Sequence, residues 1–272
     1  MNQIIIPRSE ILRKHIASID IFKEFENPNQ GFTYFAFPQS GTEILFYDQC
    51  DIFIGENEVS YNRNPSKPPS ILRLGKYLTP IKVTYKSYIP KMAIHFKEAG
   101  VINFFPNFFS DYDGRSVQHL SVEKFNLRFD LLFSENTEER INYLENYLLD
   151  LYSPNSLPEI ERAVEMLKED SSIMVEELAE QLFMNKKTFS RQFKKHIGCT
   201  VSQYKRITRF KQTARNYFKT DYKKLVQLCY DNGYYDASDF YKQIRKTTSL
   251  NPKEFFKSIS SVGPKNRIYL FE

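Results

Sequence analysis

The sequence has few cysteines and no hydrophobic run long enough to cross a membrane. Its 3 cysteines, Cys50, Cys199 and Cys229, are odd in number and widely separated, which argues against a disulfide framework or a metal cluster. We therefore expect reduced, buried thiols. No apolar stretch approaches the roughly 18 residues that span a bilayer. The first residues also lack the basic start and apolar core of a signal peptide, so we expect a cytoplasmic protein with no membrane partner.

The sequence also lacks the signatures of common catalytic sites. It contains neither a glycine-rich phosphate loop nor a Gly-x-Ser-x-Gly elbow. The histidines are isolated, without His-x-His or His-x3-His spacing: His15, His95, His119 and His196. A metal site built on Glu43 and His95 would need more such ligands nearby, so His95 is interpreted as a structural strand histidine. We expect no enzymatic activity, no metal and no cofactor; a cupin-type enzyme is the alternative that a tightly bound, stoichiometric transition metal would revive.

Basic residues are concentrated in the C-terminal part of the chain. Hydrophobic residues make up 41% and aromatic residues 15%, which is typical of a folded protein with real cores. Residues 1–156 contain 16 Lys+Arg and 19 Asp+Glu, whereas residues 181–260 contain 18 and 5. Such a basic region is expected of a surface that binds phosphates, although a solvated face that keeps the protein soluble has the same composition.

A turn-rich stretch at 153–158 coincides with this change in charge and predicts a domain boundary. Before it, residues 32–37, 43–47 and 81–85 are rich in β-branched and aromatic residues and predict strands, followed by a helix that begins near Asn136 or Thr137. We predict a β-rich regulatory, ligand-binding or dimerisation domain over 1–153, a helical domain over 154–260 and a tail over 261–272. The fold class is α+β multidomain.

Two stretches about fifty residues apart share one pattern, Val175–Phe193 and Leu225–Ile244. In each, a short helix carries a small inner residue, Ala179 or Cys229, and a second helix begins after a residue suited to cap it, Asn185 or Asp236. This pattern predicts two helix-turn-helix motifs.

The second helix of each motif has an apolar face and a polar face. Phe189 and Phe193, like Phe240 and Ile244, are spaced to point inward. The opposite faces, with one flanking residue each, are the candidate DNA-binding residues Lys186, Lys187, Ser190, Arg191 and Lys194 in the first motif, and Ala237, Ser238, Tyr241, Lys242 and Arg245 in the second. Basic and hydroxyl groups of this kind contact base edges and phosphates in a major groove.

The segment between the motifs, residues 202–218, predicts one helix about 25 Å long. With the width of each motif added, a rigid spacer of this length would place the two reading helices about one DNA turn apart, roughly 34 Å, so that one chain reads two successive major grooves.

The region from about Ile160 to Phe256 resembles the DNA-binding domain of the AraC/XylS family of bacterial transcription regulators. The matching residues are Leu178, Ala179, Phe189 to Lys195, Gly198, Tyr204, Arg209, Ala214, Gly233, Tyr234, Asp236 to Phe240, Pro252 and Phe255. The resemblance implies seven helices, of which the third and sixth enter DNA. It further implies that Lys187, Ser190 and Arg191, and in the second motif Ser238, Tyr241 and Lys242, fall at base-contacting positions.

Some residues depart from the family pattern, mostly in the second motif. Ile244 stands where Phe is usual, Ser249 where Gly usually ends the sixth helix, and Val201 where Pro is common. Asp239 places an acid near the groove. We therefore expect the first motif to read DNA more strongly than the second.

Residues 1–152 are similar to the cupin-like regulatory domains that precede this DNA-binding domain, through residues 37–46 and 92–100. The resemblance of the helical region to the AraC/XylS DNA-binding domain implies double-stranded DNA as the partner. Three further partners stay open: RNA polymerase, a small-molecule effector of the N-terminal domain, and a second copy of the chain. A protein-interaction or anti-activator module, in which the helical domain docks a protein instead of DNA, is the alternative function.

Overall fold

The computed structural model describes residues 2–22, 31–155, 157–220, 222, 224–262 and 267–271. The chain divides into two compact units. The N-terminal unit contains residues 1–33, 41–75 and 82–156, and the C-terminal unit contains residues 34–40, 76–81 and 157–272. None of the helices in the described ranges is long and apolar enough to cross a membrane.

In the described part of residues 1–155, the most numerous elements are ten strands. They are β1 (Asn2–Ile5), β2 (Ile16–Phe22), β3 (Phe32–Ala36), β4 (Thr42–Tyr47), β5 (Cys50–Ile54), β6 (Glu58–Arg63), β7 (Ser70–Leu74), β8 (Ile81–Tyr85), β9 (Lys91–Phe96) and β10 (Val117–Leu120). The helices are α1 (Glu10–His15), α2 (Phe129–Leu132) and α3 (Thr137–Leu151). The three predicted strands are confirmed as β3, β4 and β8. The predicted cap is also confirmed, because the Asn136 side chain accepts hydrogen bonds from the backbone of Glu138 and Glu139 at the start of α3.

The main sheet of the N-terminal unit has the strand order β1-β2-β9-β4-β7-β10, and every pairing is antiparallel. Side chains alternate between its two faces. One face carries Ile44, Phe46 and Ile94 and packs against Leu12 of α1 and Leu144 of α3 in a single hydrophobic core. Separately, β5 pairs antiparallel with β6, and β6 pairs parallel with β8.

The C-terminal unit contains seven helices within the described ranges. They are α4 (Pro158–Glu169), α5 (Val175–Gln181), α6 (Lys186–Ile197), α7 (Val201–Lys219), α8 (Leu225–Asp231), α9 (Ala237–Thr248) and α10 (Pro252–Ser258). Strands β11 (Ser260–Val262) and β12 (Arg267–Phe271) follow. The predicted fold class is confirmed: a β-rich N-terminal region with trailing helices precedes two helix-turn-helix motifs joined by a long helix. All three cysteines are unpaired and buried, as expected.

The C-terminal unit also contains segments from outside the predicted range of 154–260. Residues 34–40 and 76–81 belong to it, and so does the C-terminal strand β12, which pairs antiparallel with residues 34–36 of β3. The predicted tail therefore contains a paired strand, although residues 263–266 and 272 lie outside the described ranges, as does residue 156 of the boundary stretch. The domain boundaries themselves stay a prediction.

Candidate nucleic-acid interface

The first helix-turn-helix motif consists of α5 and α6. Ala179 is buried on the inner face of α5, where a larger side chain would hold the two helices apart. The Asn185 side chain caps α6 by accepting a hydrogen bond from the Lys187 backbone at 2.9 Å. Phe189 and Phe193 are fully buried, with ring centroids 5.8 Å apart, so the outer face of α6 is fixed by packing.

This outer face is basic. Lys187, Arg191 and Lys194 are exposed, and Ser190 between them is half-buried. Lys186 is exposed as well, but its ammonium group forms an ion pair with Glu176 of α5. Four of the five candidate residues of this motif therefore lie together on one surface of α6. The fifth, Lys186, is paired with Glu176 of the same motif.

The second motif consists of α8 and α9 and has the same construction. Cys229 is buried on the inner face of α8. Asp236 caps α9 by accepting a hydrogen bond from the Asp239 backbone at 2.7 Å. Phe240 and Ile244 are buried, as the spacing predicts, and the ring centroid of Phe240 lies 5.0 Å from that of Tyr234.

The outer face of α9 is less uniformly exposed than that of α6. Ser238, Lys242 and Arg245 are exposed, whereas Ala237 and Tyr241 are half-buried. The ring centroid of Tyr241 lies 5.7 Å from that of Phe240, and Tyr241 packs against the hydrophobic core beneath the helix. Two basic groups and a serine therefore carry most of the polar surface of this face.

Asp239, which departs from a uniformly basic face, makes contacts within its own motif. Its carboxylate accepts hydrogen bonds from the Gln243 amide at 2.9 Å and from the Tyr235 backbone at 3.5 Å. An acidic group in the first turn of a helix also interacts favourably with the helix dipole. The structure therefore gives Asp239 a role at the start of α9.

Two further departures have local explanations. Ser249 ends α9 in the left-handed conformation, φ 61°, which matches the conformation of Gly198 at the end of α6, φ 86°. Serine is strained there because its Cβ crowds the backbone. Val201 begins α7 directly after Thr200, which forms a capping box with Gln203, so this helix start is stabilised without proline.

The connecting helix α7 has 19 residues, slightly longer than predicted. Polar contacts join it to the second motif. The Thr213 hydroxyl lies 3.2 Å from the Tyr234 hydroxyl, and the Asn216 amide donates to Asn232 at 2.9 Å. These contacts hold α8 and its turn against α7.

In the N-terminal unit the structure brings together three polar side chains that are far apart in the sequence. His95 of β9 lies between two carboxylates, with Nε2 3.4 Å from Asp20 of β2 and Nδ1 3.3 Å from Glu43 of β4. All three are buried. The sequence indicated His95 and Glu43 as a pair to consider but gave no sign of Asp20, because only the pairing of β2, β9 and β4 makes the three residues neighbours. Among the described residues, no group of three or more His, Cys, Asp or Glu could hold a metal ion.

Comparison with known families identifies the helical region. Residues 178–258 match a family model described as a helix-turn-helix domain, and the match runs from within α5 through α6, the connecting helix α7 and the second motif to the end of α10. The chain therefore carries a helix-turn-helix domain over residues 178–258, within the region in which the sequence resembles a known DNA-binding domain.

The chain is also similar to solved structures of low sequence identity. The C-terminal domain of AraT, a response regulator from Geobacillus stearothermophilus, is 19% identical with a TM-score of 0.35, covering 37% of this chain and 85% of that chain. ToxT from Vibrio cholerae is 13% identical with a TM-score of 0.45, covering 88% and 96%. ToxT from the same organism with a bound unsaturated fatty acid is 12% identical with a TM-score of 0.42, covering 88% and 94%. No curated protein sequence matches the chain.

Proposed function

We propose that this protein is a sequence-specific DNA-binding transcription regulator whose helices α6 and α9 read two successive major grooves. The observation that carries the proposal is the outer face of α6, where Lys187, Arg191 and Lys194 are exposed on a helix whose opposite face is fully buried. A capped, well-packed helix with exposed basic groups matches the chemistry of base edges and phosphates. Such a regulator would act in the cytoplasm, together with RNA polymerase.

The anti-activator alternative depended on Asp239 and on the altered second motif. Asp239 accepts hydrogen bonds from Gln243 and Tyr235 within its own motif. The acid therefore has a structural use that needs no protein partner. This supports DNA as the partner of the C-terminal unit.

The first experiment is selection of fragments bound by the full chain from the source genome, followed by gel shifts of a recovered fragment at several salt concentrations. We expect binding to a defined site and a steep loss of affinity with salt, because each phosphate contact contributes about −0.9 to the slope of log K against log salt. Binding that ignores sequence, with Lys187→Ala and Arg191→Ala both silent, would contradict the assignment of α6 as a reading helix.

We further propose that the N-terminal unit is the regulatory part, which senses an effector or dimerises. The face of its main sheet opposite the hydrophobic core carries buried polar side chains, among them Asp20, Glu43, His95 and Lys91. Ligand pockets combine an apolar lining with a few polar groups, and a sheet face with several buried polar side chains has this character, which supports ligand sensing. Sedimentation velocity distinguishes the two roles. If the unit dimerises, the sedimenting mass rises as the protein concentration is raised, whereas binding of a small effector does not require such a rise.

A further inference from the structure

Phe37 lies in the sequence of the β-rich region but belongs to the core of the second motif. It follows β3 in the segment 34–40, which is part of the C-terminal unit. Its side chain is only 1% exposed. The buried core that contains it is otherwise formed by Phe210, Ala214, Leu228, Cys229, Tyr234, Phe240, Ile244, Phe255, Phe256, Ile259 and Ile268.

Several hydrogen bonds hold the backbone of this segment in place. The Phe37 carbonyl accepts from the Tyr77 hydroxyl at 2.8 Å, and its backbone N–H donates to the Ile268 carbonyl at 3.4 Å. The Ser40 carbonyl accepts from the Lys76 ammonium group at 2.5 Å. The position of the Phe37 ring is therefore fixed from both sides of the residue.

A chain of ring contacts leads from Phe37 to the inner face of α9. The ring centroid of Phe37 lies 5.0 Å from that of Phe255, whose centroid is 5.0 Å from that of Phe256. Phe256 stacks on Phe240 with the centroids 6.2 Å apart, and Phe240 is the inward residue near the start of α9. Close-packed interiors transmit displacements because they contain few voids to absorb them.

We infer that Phe37 is a positioning residue for α9. By filling the core beneath α10 and α9, it sets how the second motif presents Ser238, Lys242 and Arg245. Reading by the second motif thus depends on a residue about 200 positions earlier, in a segment that continues along the chain into β4 of the N-terminal unit. The inference rests on the proposed function, since it takes α9 as a reading helix.

The experiment compares the full chain with its Phe37→Ala and Phe37→Leu variants on a DNA fragment selected by the wild-type protein. Phe53→Ala is the matched control, because Phe53 is an exposed phenylalanine in β5 of the N-terminal unit. Each protein is titrated against the intact site and against versions with one or the other half scrambled. We expect Phe37→Ala to lose about tenfold affinity for the intact site, the equivalent of one good base contact, and to bind like wild type when the half read by α9 is scrambled. Phe37→Leu, which keeps most of the apolar volume but not the ring, should lose less affinity than Phe37→Ala.

A readout without DNA separates the inference from the proposed function. In Phe37→Ala, hydrogen exchange at the backbone of Phe240 and Ile244 should accelerate, while exchange at Phe189 and Phe193 in α6 stays at the wild-type rate. If the wild-type chain binds no specific DNA, the proposed function fails, but the exchange result still shows whether Phe37 holds α9. Equal acceleration in α6 and α9, or wild-type exchange and affinity throughout, would overturn the inference.

A milder pair of variants covers the case in which Phe37→Ala does not fold. Phe37→Leu keeps most of the apolar volume, and Tyr77→Phe removes only the hydroxyl that donates to the Phe37 carbonyl. Both should accelerate exchange at Phe240 relative to Phe189. If both leave the ratio of these two rates unchanged, Phe37 does not position α9.

Discussion

In the first motif, the buried rings of Phe189 and Phe193 contact each other, and Phe193 also contacts Tyr204 of the adjoining helix α7. In the second motif, Phe240 lies in a core that includes Phe37 and Ile268, one from a segment before β4 and the other from β12. The ring contacts of the first motif thus join it to the next helix in the chain, whereas the core of the second motif also contains side chains from residue 37 and from the C-terminal strand β12. The two motifs therefore share a sequence pattern but differ in the side chains that pack beneath their reading helices.

Each motif has two residues in the left-handed conformation, one in the turn and one at the end of the reading helix, and glycine occupies a different one of these positions in each motif. In the turn of the first motif, Phe183 has φ 53° and is 98% exposed, whereas Gly233 occupies the turn of the second at φ 65°. At the end of the reading helix the order is reversed, because Gly198 ends α6 and Ser249 ends α9. Each motif therefore has one strained left-handed residue, at a different place.

The largest expected effect comes from Ile268→Ala, because Ile268 is 1% exposed in the core of the second motif. Removing a buried aliphatic side chain costs about 2–5 kcal/mol of the free energy of unfolding. Native-state hydrogen exchange should show this loss at Phe240 and a smaller one at Phe189. Ile6→Ala, at an exposed isoleucine, is the control and should change little. Equal losses at Phe240 and Phe189 would show that the motifs share one cooperative core.

The next effect is on DNA affinity and tests whether the first motif reads more strongly. Arg191→Ala should cost about 1–3 kcal/mol of binding free energy, roughly 5- to 150-fold in Kd, if it contacts a base. Lys242→Ala should cost less, and Lys186→Ala least, since Lys186 is paired with Glu176. Gel-shift titrations on the selected site measure all three. A larger loss for Lys242→Ala than for Arg191→Ala would reverse the expected asymmetry.

Glycine at the two strained left-handed positions, 183 and 249, should have a smaller, stabilising effect on the free energy of unfolding. Phe183→Gly and Ser249→Gly should each raise the free energy of unfolding by about 0.5–1 kcal/mol, because relief of left-handed strain exceeds the entropy cost of glycine. Phe183→Ala keeps the strain and is the control. The reverse change, Gly233→Ala, should destabilise the second motif by about 1 kcal/mol. Urea unfolding of the four variants measures these differences, and a gain from Phe183→Ala equal to that from Phe183→Gly would rule out strain as the cause.

The smallest effect is confined to acid pH. Burial, with a contribution from Lys195, lowers the pKa of His196 in α6 below its ordinary value of 6.5. The unfolded chain then binds the proton more readily than the folded one, so the stability contributed by neutral His196 is complete above pH 6.5 and declines as the pH falls towards the lowered pKa. The corresponding position of α9 is Thr247, which does not titrate.

We therefore expect His196→Gln to narrow the difference in Tm between about pH 7.5 and pH 5.5, measured by thermal unfolding. Thr247→Ser, at the matching position of the second motif, should leave that difference unchanged. An undiminished difference in the His196→Gln variant would assign the acid sensitivity to other groups.

Much of the candidate site could be predicted because it depends on short-range patterns. Spacing of three and four residues placed Phe189, Phe193, Phe240 and Ile244 on the inner faces, and the residue types at 185 and 236 indicated the caps. Tyr241 shows the limit of this reasoning. Its position on the helix indicated an outward side chain, but a large ring at the edge of the core packs partly inward.

The sequence by itself determined the two motifs, their caps, the connecting helix and the basic outer face of α6, because helices and their ends are encoded by neighbouring residues. Only the tertiary structure decided that His95 lies between Asp20 and Glu43, and that Phe37 and Ile268 complete the second motif. These contacts join residues up to about 230 positions apart. The local spacing of residues does not predict such contacts. They depend on which strands pair and on which distant apolar side chain packs into the core of the second motif.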